Sequence, residues 1–477
     1  MPVMKKIRFI SFLLLGVLLF GCAPRERSVI ILSTNDMHAQ IQNFPQLATA
    51  VEACRDTASV ILIDAGDRWT GNAYVDRAPG RRPVLELMNR LGYDAATLGN
   101  HEFDVGQQTL AEAIAYCDFP IVCANMICEN SPIPDLKPYV MLESNGVKFA
   151  FVGVVTNYGS NNHPDGHDAV FEGLRFTDAV ETLEEYEYLR DSCQVLVALT
   201  HIGSTYDREV ADEASEYDLI IGGHSHEQIN EVVDGVLITQ TGRNLRMIGV
   251  TEVRLRGDKI RSLSYRLVPL SDYAPDPDYQ AMVEQYRNAP ELAEQAGELT
   301  ATANKVGVAD IFLQAIKRKT ASDVAFYHFG GVRRDSLAAG PIRRGDVYDL
   351  DPFVSSISTM WMTPDEMAQM VLVKFNDEIN KGESHRIDLF STTPYVIHTD
   401  GEDAVEVTFP ALQPGRKYKV AMGDYVFKNY RGLEYTDGET TEWLVPDVLM
   451  EYIGNGGHPL TPDNRLRQSI VADREDD

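Results

Sequence analysis

Paired cysteines, basic side chains and long apolar runs are all scarce in this 477-residue chain. Its six cysteines include no Cys-x-x-Cys spacing, which argues against a cysteine-based zinc site. Five of them, Cys54, Cys117, Cys123, Cys128 and Cys193, follow the N-terminal segment. An odd number cannot all pair internally, so buried thiols are expected, with room for one disulfide. Lysine and arginine total 43 against 71 acidic residues, a net charge of −28. A broad basic face for nucleic acid is therefore not expected. Handling phosphate in so acidic a chain needs local positive charge, from bound metal or a few arginines. No internal repeat or low-complexity tract is present. The length exceeds what one core organises, so two domains are expected.

The longest apolar run stands at the N-terminus. Lys5, Lys6 and Arg8 lead into FISFLLLGVLLFG, too short for an ordinary membrane span. The Leu19-Phe20-Gly21-Cys22 that ends it resembles the lipobox of bacterial lipoproteins. The resemblance implies a signal peptide over residues 1–22 and a lipid on Cys22. It also implies an exported protein anchored at a bacterial outer membrane, facing the periplasm or the surface. An ordinary secretory signal with an incidental Cys22 would give the same export.

Between residues 28 and 270, β-branched runs alternate with helical patterns. The runs are SVIILSTND, ASVILIDAGD, YDAATLGNHE, FPIVCANM, VKFAFVGVVT, CQVLVALTHIG and YDLIIGGHSH. Such near-continuous apolar runs suit strands covered on both faces. RPVLELMNRLG and TDAVETLEEYEYLRDS read as helices, and the alternation predicts a layered α/β domain. Residues 271–302 read as a linker with a helix. Residues 303–470 open on the helical VADIFLQAIKRKT and read as a smaller second α/β domain.

Five of those apolar runs end in residues that bind metals. They give Asp36-Met37-His38, Asp64-Ala65-Gly66-Asp67, Gly99-Asn100-His101-Glu102 with Asp104, Thr200-His201, and Gly222-Gly223-His224-Ser225-His226. Ligands of open α/β sheets gather at the carboxyl ends of strands, so the fold is expected to bring these loops to one edge. Of the eleven histidines in the chain, five fall in these motifs, far from a random scatter. Asp-x-His on an extended segment puts both side chains on one side, and His-Ser-His does the same. Mixed oxygen and imidazole ligands suit zinc, manganese, iron or cobalt rather than calcium. His163 and His167, in NNHPDGHD, read as solvated residues of a polar loop.

As a set, D-x-H, GD, GNHE, a later strand-end His and GGHxH resemble the signature of calcineurin-like metallophosphoesterases. GNHEFDVG and the spacing are similar to one branch, the 5′-nucleotidase and UDP-sugar hydrolase family, over residues 28 to about 440. The resemblance implies an N-terminal αββα metallophosphoesterase sandwich with a smaller C-terminal α/β domain. It implies two divalent cations (Zn, Mn, Mg, Co or Fe) and hydrolysis of phosphate esters, first of all 5′-nucleotides, by metal-activated hydroxide. Cyclic nucleotides, nucleotide sugars, other anionic esters and sulfur-containing esters are the alternatives. A surface binding protein without catalysis, or a structural metalloprotein, is the reading from another class.

The resemblance further implies roles. Asp36, His38 and His226 would hold one cation, Asn100, His201 and His224 the other, and Asp67 would bridge them. His101 would face the phosphate rather than a metal, oriented by Asp104. Asp64 would support its loop rather than bind a cation, and Glu102 would stand behind the ligands with no closer role implied. Ala39 stands where relatives carry glycine after Asp-x-His.

Relatives bind the nucleoside with the second domain, where the family pattern N-G-G-G-[IV]-R reads here His328-Phe329-Gly330-Gly331-Val332-Arg333. Arg333 suits a phosphate or carboxylate. PIRRGDVYDLDPF puts Phe353 at the first aromatic clamp position, and YKVAMGDYV puts Tyr425 at the second. His328, Arg333, Phe353 and Tyr425 are thus the expected substrate residues. Core packing for the two aromatics and an ion pair for Arg333 are the structural alternatives. Beyond Tyr425 the pattern departs, with Arg431 near the place of a ligand-contacting aspartate.

Overall fold

The computed structural model describes residues 26–166, 168–287, 289–353, 355–377, 386–430 and 438–472. The signal segment, Cys22, His167 and Arg431 lie outside the described residues.

Alternation along Glu26–Thr34 builds the first half of the molecule. Val29 and Ile31 point one way and Leu32 the other, because successive side chains of a strand face opposite sides. The strand pairs in parallel with Val60–Asp64, which pairs in parallel with Ala95–Ala96. Met247–Arg256 and Lys259–Pro269 complete this five-stranded sheet on the other side. A second, six-stranded sheet has Val195–His201 in parallel between Val147–Val155 and Leu219–Ile221.

The two sheets share one apolar layer, in which Val29, Ile31, Ile61 and Ile63 meet Phe149, Phe151, Val195 and Val197. Each such side chain stabilises the stack by about 1.5–3 kcal/mol relative to exposure. Helices cover the outer faces. Phe44–Arg55 and Arg82–Leu91 pack Leu47, Val51, Leu87 and Met88 against the first sheet. Ala179–Glu185 and Ser204–Glu213 pack Val180, Leu183 and Val210 against the second. The result is the layered α/β/β/α arrangement expected from the sequence.

Local chemistry sets the element ends. Arg82–Leu91 begins with Pro83 in its first turn and stops at Gly92, whose φ of 72° suits a residue without Cβ. Two apolar runs make less strand than their composition predicts. The run from Tyr93 pairs only at Ala95–Ala96 before turning into the Asn100 loop. The run from Phe119 contributes isolated bridges at Ile121 and Val122, and then Met126–Cys128. Pro120 at its start has no N–H to give a ladder. The helical pattern of residues 177–192 splits into Ala179–Glu185, capped by Asp178, and a 3-10 segment Glu187–Ser192.

In the second half, Val324–His328 lies parallel to Tyr418–Gly423 in a five-stranded mixed sheet. Lys305–Thr320 covers one face through Phe312 and Ile316. Pro364–Phe375 covers the other through Met367 and Met370. The halves touch where Ala73 N–H donates to Asp349, where Arg243 pairs with Asp335, and where Arg77 lies over the Tyr348 ring. All five cysteines among the described residues are free thiols. Among those residues no helix is long and apolar enough to cross a membrane.

Candidate active site

Parallel pairing aligns the carboxyl ends of the strands, and five loops leave that edge together. Asp36 and His38 follow Glu26–Thr34, and Asp67 follows Val60–Asp64. Asn100 follows the short strand Ala95–Ala96, and His201 ends Val195–His201. His224 and His226 follow Leu219–Ile221.

These side chains converge. Asp36, His38, Asp67 and His226 each offer a ligand atom within 4.8 Å of one another. His38 Nε2 and His226 Nε2 stand 2.8 Å apart, and His226 Nε2 is 3.4 Å from Asp36. Asp67 Oδ2 lies 3.2 Å from His201 Nε2 and 3.9 Å from His38 Nε2, between the two histidines. His224 Nδ1 is 2.9 Å from Asn100 Oδ1. Asp36 and His201 are fully buried.

This donor set fits cations. Asp36 and Asp67 are buried carboxylates with no lysine or arginine within 4 Å among the described residues; imidazoles are the only titratable cations beside them, and Asn35 Nδ2 and the backbone N–H groups of His224 and His101 donate to them. His201 Nε2 is buried without a hydrogen-bond partner among the described residues. Burial opposes a charge on His201, yet Asp67 and then Asp36 lift its pKa to about 10. Burial holds His38 well below the usual histidine range and brings His224 down to about 4, so these two favour the neutral imidazole that a cation needs, while the carboxylates favour positive charge at His201.

His101 is turned differently. Its Nδ1 is 2.8 Å from Asp104 Oδ2, and its backbone N–H donates to Asp67 Oδ1 at 2.9 Å. Thr70 Oγ1 donates to the same Asp104 oxygen at 2.8 Å. Burial opposes the charged imidazole, but Asp67 and Asp104 raise its pKa above the usual histidine value.

Glu102 has a role that the sequence left open. Its buried carboxylate accepts from the backbone N–H groups of Gly99 (2.6 Å), Asp67 (2.9 Å) and Arg68 (2.8 Å), joining two ligand loops. Arg68, unnoticed in the sequence, lies buried between Asp64 (2.9 Å) and Glu102 (3.7 Å) and donates to Thr97 O. Asp64 accepts from Thr34 Oγ1 and points away from the cluster.

The loops are held in tight conformations. Asp36, His38, Asp67, His224 and His226 all take positive φ, from 47° to 82°. Ala39, at φ 59°, adopts the same left-handed backbone, which explains why glycine suits that position. Gly99 leaves no room for a side chain, since a Cβ there would lie 2.2 Å from Asp67 Oδ1.

The second half closes over this edge and forms a cleft of about 540 Å³. His101, Asn100, His224 and His226 line one wall, and Arg333, Phe353, His328 and Tyr425 line the other. Arg333 reaches 2.8 Å from His38 Nδ1 and lies over the Phe353 ring. Phe353 tilts against His101, with centroids 5.5 Å apart. His328 stacks on Tyr425 at 4.8 Å and 27°, so one face of that ring is already covered. Burial pushes the His328 pKa down to about 4, and its Nδ1 has no hydrogen-bond partner among the described residues.

The polar loop behaves otherwise than its composition suggests. His163 is not solvated: it is buried, stacks on Phe171 at 4.1 Å and reaches Asp168 at 3.1 Å. Two residues on, Asp165 lines the cleft, 3.8 Å from His224 Nε2. Sequence reasoning also missed Lys305 and Arg243 on the cleft wall. Neither belongs to a recognisable motif.

Fold and site together define a metallophosphoesterase. Residues 30–228 match the calcineurin-like phosphoesterase family, and residues 287–437 match the 5′-nucleotidase C-terminal domain. The chain belongs to the calcineurin-like phosphoesterases that carry this C-terminal domain, a family that works with two divalent cations.

Protein UshA of Yersinia enterocolitica is 26% identical over 89% of this chain and 90% of its own length. Endonuclease YhcR of Bacillus subtilis is 26% identical over 95% of this chain but only 42% of its own length. The chain thus spans less than half of that relative. The 5′-nucleotidase precursor of Thermus thermophilus superposes with a TM-score of 0.80 at 18% identity, covering 93% of this chain and 99% of that one. It shares the fold.

Proposed function

We propose that this protein is a dimetal phosphoric ester hydrolase acting on small phosphate esters, 5′-nucleotides first among them. The convergence of Asp36, His38, Asp67 and His226 within 4.8 Å carries the reading. Asp36, His38 and His226 would hold one cation, Asn100, His201 and His224 the other, with Asp67 between them. Bound, such a pair supplies an activated water and neutralises charge on the transferring phosphoryl group.

The chain's own residues do the rest. Asp104 accepts from His101 Nδ1, which leaves Nε2 free to donate to a phosphoryl oxygen as negative charge develops there. The Arg333 guanidinium attracts the anionic part of the ester into the cleft. Phe353 offers an apolar face to the leaving group.

In this reading residues 28–270 carry the chemistry, 303–470 hold the substrate, and 271–302 join them. The signal segment directs export with a lipid on Cys22, and the substrate is a small molecule rather than nucleic acid.

A second substrate reading has its own support. The His328–Tyr425 stack covers a ring face that a base would otherwise use. That favours an anionic ester without a sandwiched base. A panel of nucleotides, cyclic nucleotides, nucleotide sugars and aryl phosphates on metal-loaded protein, scored for phosphate release, separates the two. No release from any of them would reject the hydrolase and favour a binding protein.

A further inference from the structure

We propose a second oxyanion site in the crevice on the far side of Arg333 from the substrate cleft, built by Arg243, Arg246, Arg333 and Arg334 and shaped for a tetrahedral dianion such as orthophosphate. These four arginines line a separate cavity of about 250 Å³ between the two halves of the molecule. They gather there in a chain whose net charge is −28.

The charge in the crevice is unbalanced. Asp335 is the one carboxylate that lines it among the described residues. Arg243 already holds both its oxygens, at 3.0 and 2.8 Å, and Lys305 stands 3.6 Å from it on the cleft side. Arg334 is matched outside the crevice by Asp349 at 3.0 Å. Arg333 faces the imidazole of His38 rather than a carboxylate. Arg246 is exposed and has no ion-pair partner within 4 Å among the described residues.

The cations feel one another. Burial brings Lys305, beside Asp335, down to about 8, with Arg243 and Arg333 adding to the effect. An anion between Arg243, Arg246 and Arg333 removes that repulsion. Guanidinium groups match a tetrahedral oxyanion through paired N–H donors.

Position suggests the use. His38 lines the crevice, whereas Asn100, His224 and His226 line the cleft. Arg333 and Arg243 line both. The crevice therefore adjoins the ligand cluster at His38. It is placed to take an orthophosphate leaving that cluster, a use that rests on the hydrolase reading. The same oxyanion chemistry would accept the distal phosphate of a longer ester.

The test uses full-length, metal-loaded protein, p-nitrophenyl phosphate as substrate and orthophosphate as inhibitor. Loss of one charged contact in Arg246→Ala should raise the orthophosphate inhibition constant about tenfold, and Arg246→Lys should recover most of it. If the crevice holds the distal phosphate of a substrate, Arg246→Ala also raises the KM of a nucleoside diphosphate more than that of a monophosphate. If it holds only the free ion, that ratio stays fixed. Apart from turnover, orthophosphate should raise the thermal unfolding midpoint of the wild type more than that of Arg246→Ala. An unchanged inhibition constant overturns the proposal. Should no ester be hydrolysed, the hydrolase reading fails on its own and the thermal shift alone decides the site, with equal shifts in both proteins overturning it.

Discussion

Asp104 Oδ2 stands 2.8 Å from His101 Nδ1, which commits the other ring nitrogen to the cleft. On the proposed reading, a histidine fixed in this way acts on the substrate without holding a metal. His101→Ala should lower kcat about 10²–10⁴-fold, the usual worth of a positioned proton donor, and leave two metal equivalents bound. Elemental analysis beside steady-state kinetics checks both halves. Loss of metal along with activity would make His101 a ligand instead.

Gly99 has no space for a methyl group, because Asp67 fills it. Gly99→Ala should displace the Asp67 carboxylate and weaken cation binding about 10–100-fold, the range seen when groups around a metal are disturbed. Metal titration reads the shift, and circular dichroism shows whether the fold survives.

Glu102 accepts three backbone N–H groups with one buried carboxylate. Glu102→Gln turns part of that acceptor into a donor facing donors. Destabilisation of about 1.5–3 kcal/mol is expected, the scale of a buried hydrogen bond to a charged group. Denaturant unfolding measures it.

Phe353 sits between the Arg333 guanidinium and the His101 ring. If a base stacks there, Phe353→Ala should raise the KM of a nucleotide about tenfold, within the 1–3 kcal/mol of a base–aromatic contact. The KM of p-nitrophenyl phosphate should move much less. An equal rise for both would reject the clamp.

Asp351 anchors the turn that carries Phe353, accepting from Ser355 N–H at 3.0 Å and Ser355 Oγ at 2.9 Å. Burial pushes its pKa up to about 7. The folded pKa lies above the unfolded one, so its stabilising contribution is fully present below about pH 4 and is lost as pH rises through about 7. The thermal midpoint of the wild type should therefore fall relative to Asp351→Asn between pH 5 and pH 8. Parallel pH curves for the two proteins would contradict this.

The layered fold and the convergence of five loops were legible in the sequence, because both follow from local pattern. Apolar runs announce strands, and polar residues just past their ends announce a site at the sheet edge. Glu102, Arg68 and Asp165 were not legible as working residues. Each acts through partners far along the chain, such as Gly99 and Asp67 in turn for Glu102, or His224 for Asp165. No spacing rule reports which distant backbone group a carboxylate will meet. His163 was misread for a similar reason. A polar neighbourhood in sequence said nothing of Phe171, eight residues on, which packs against its ring. The crevice arginines lie on segments joined only by the meeting of the two halves.

The left-handed backbone at Asp36, His38, Asp67, His224 and His226 has a consequence for the life of the protein. Each such residue outside glycine costs about 1–2 kcal/mol. Five together approach the net stability of a whole domain, about 5–15 kcal/mol. Cations held by these residues, as proposed, would offset that burden. Scarcity of divalent ions around the cell would then shorten the protein's survival against proteases as well as silence it, so that its abundance would follow the mineral supply of its surroundings.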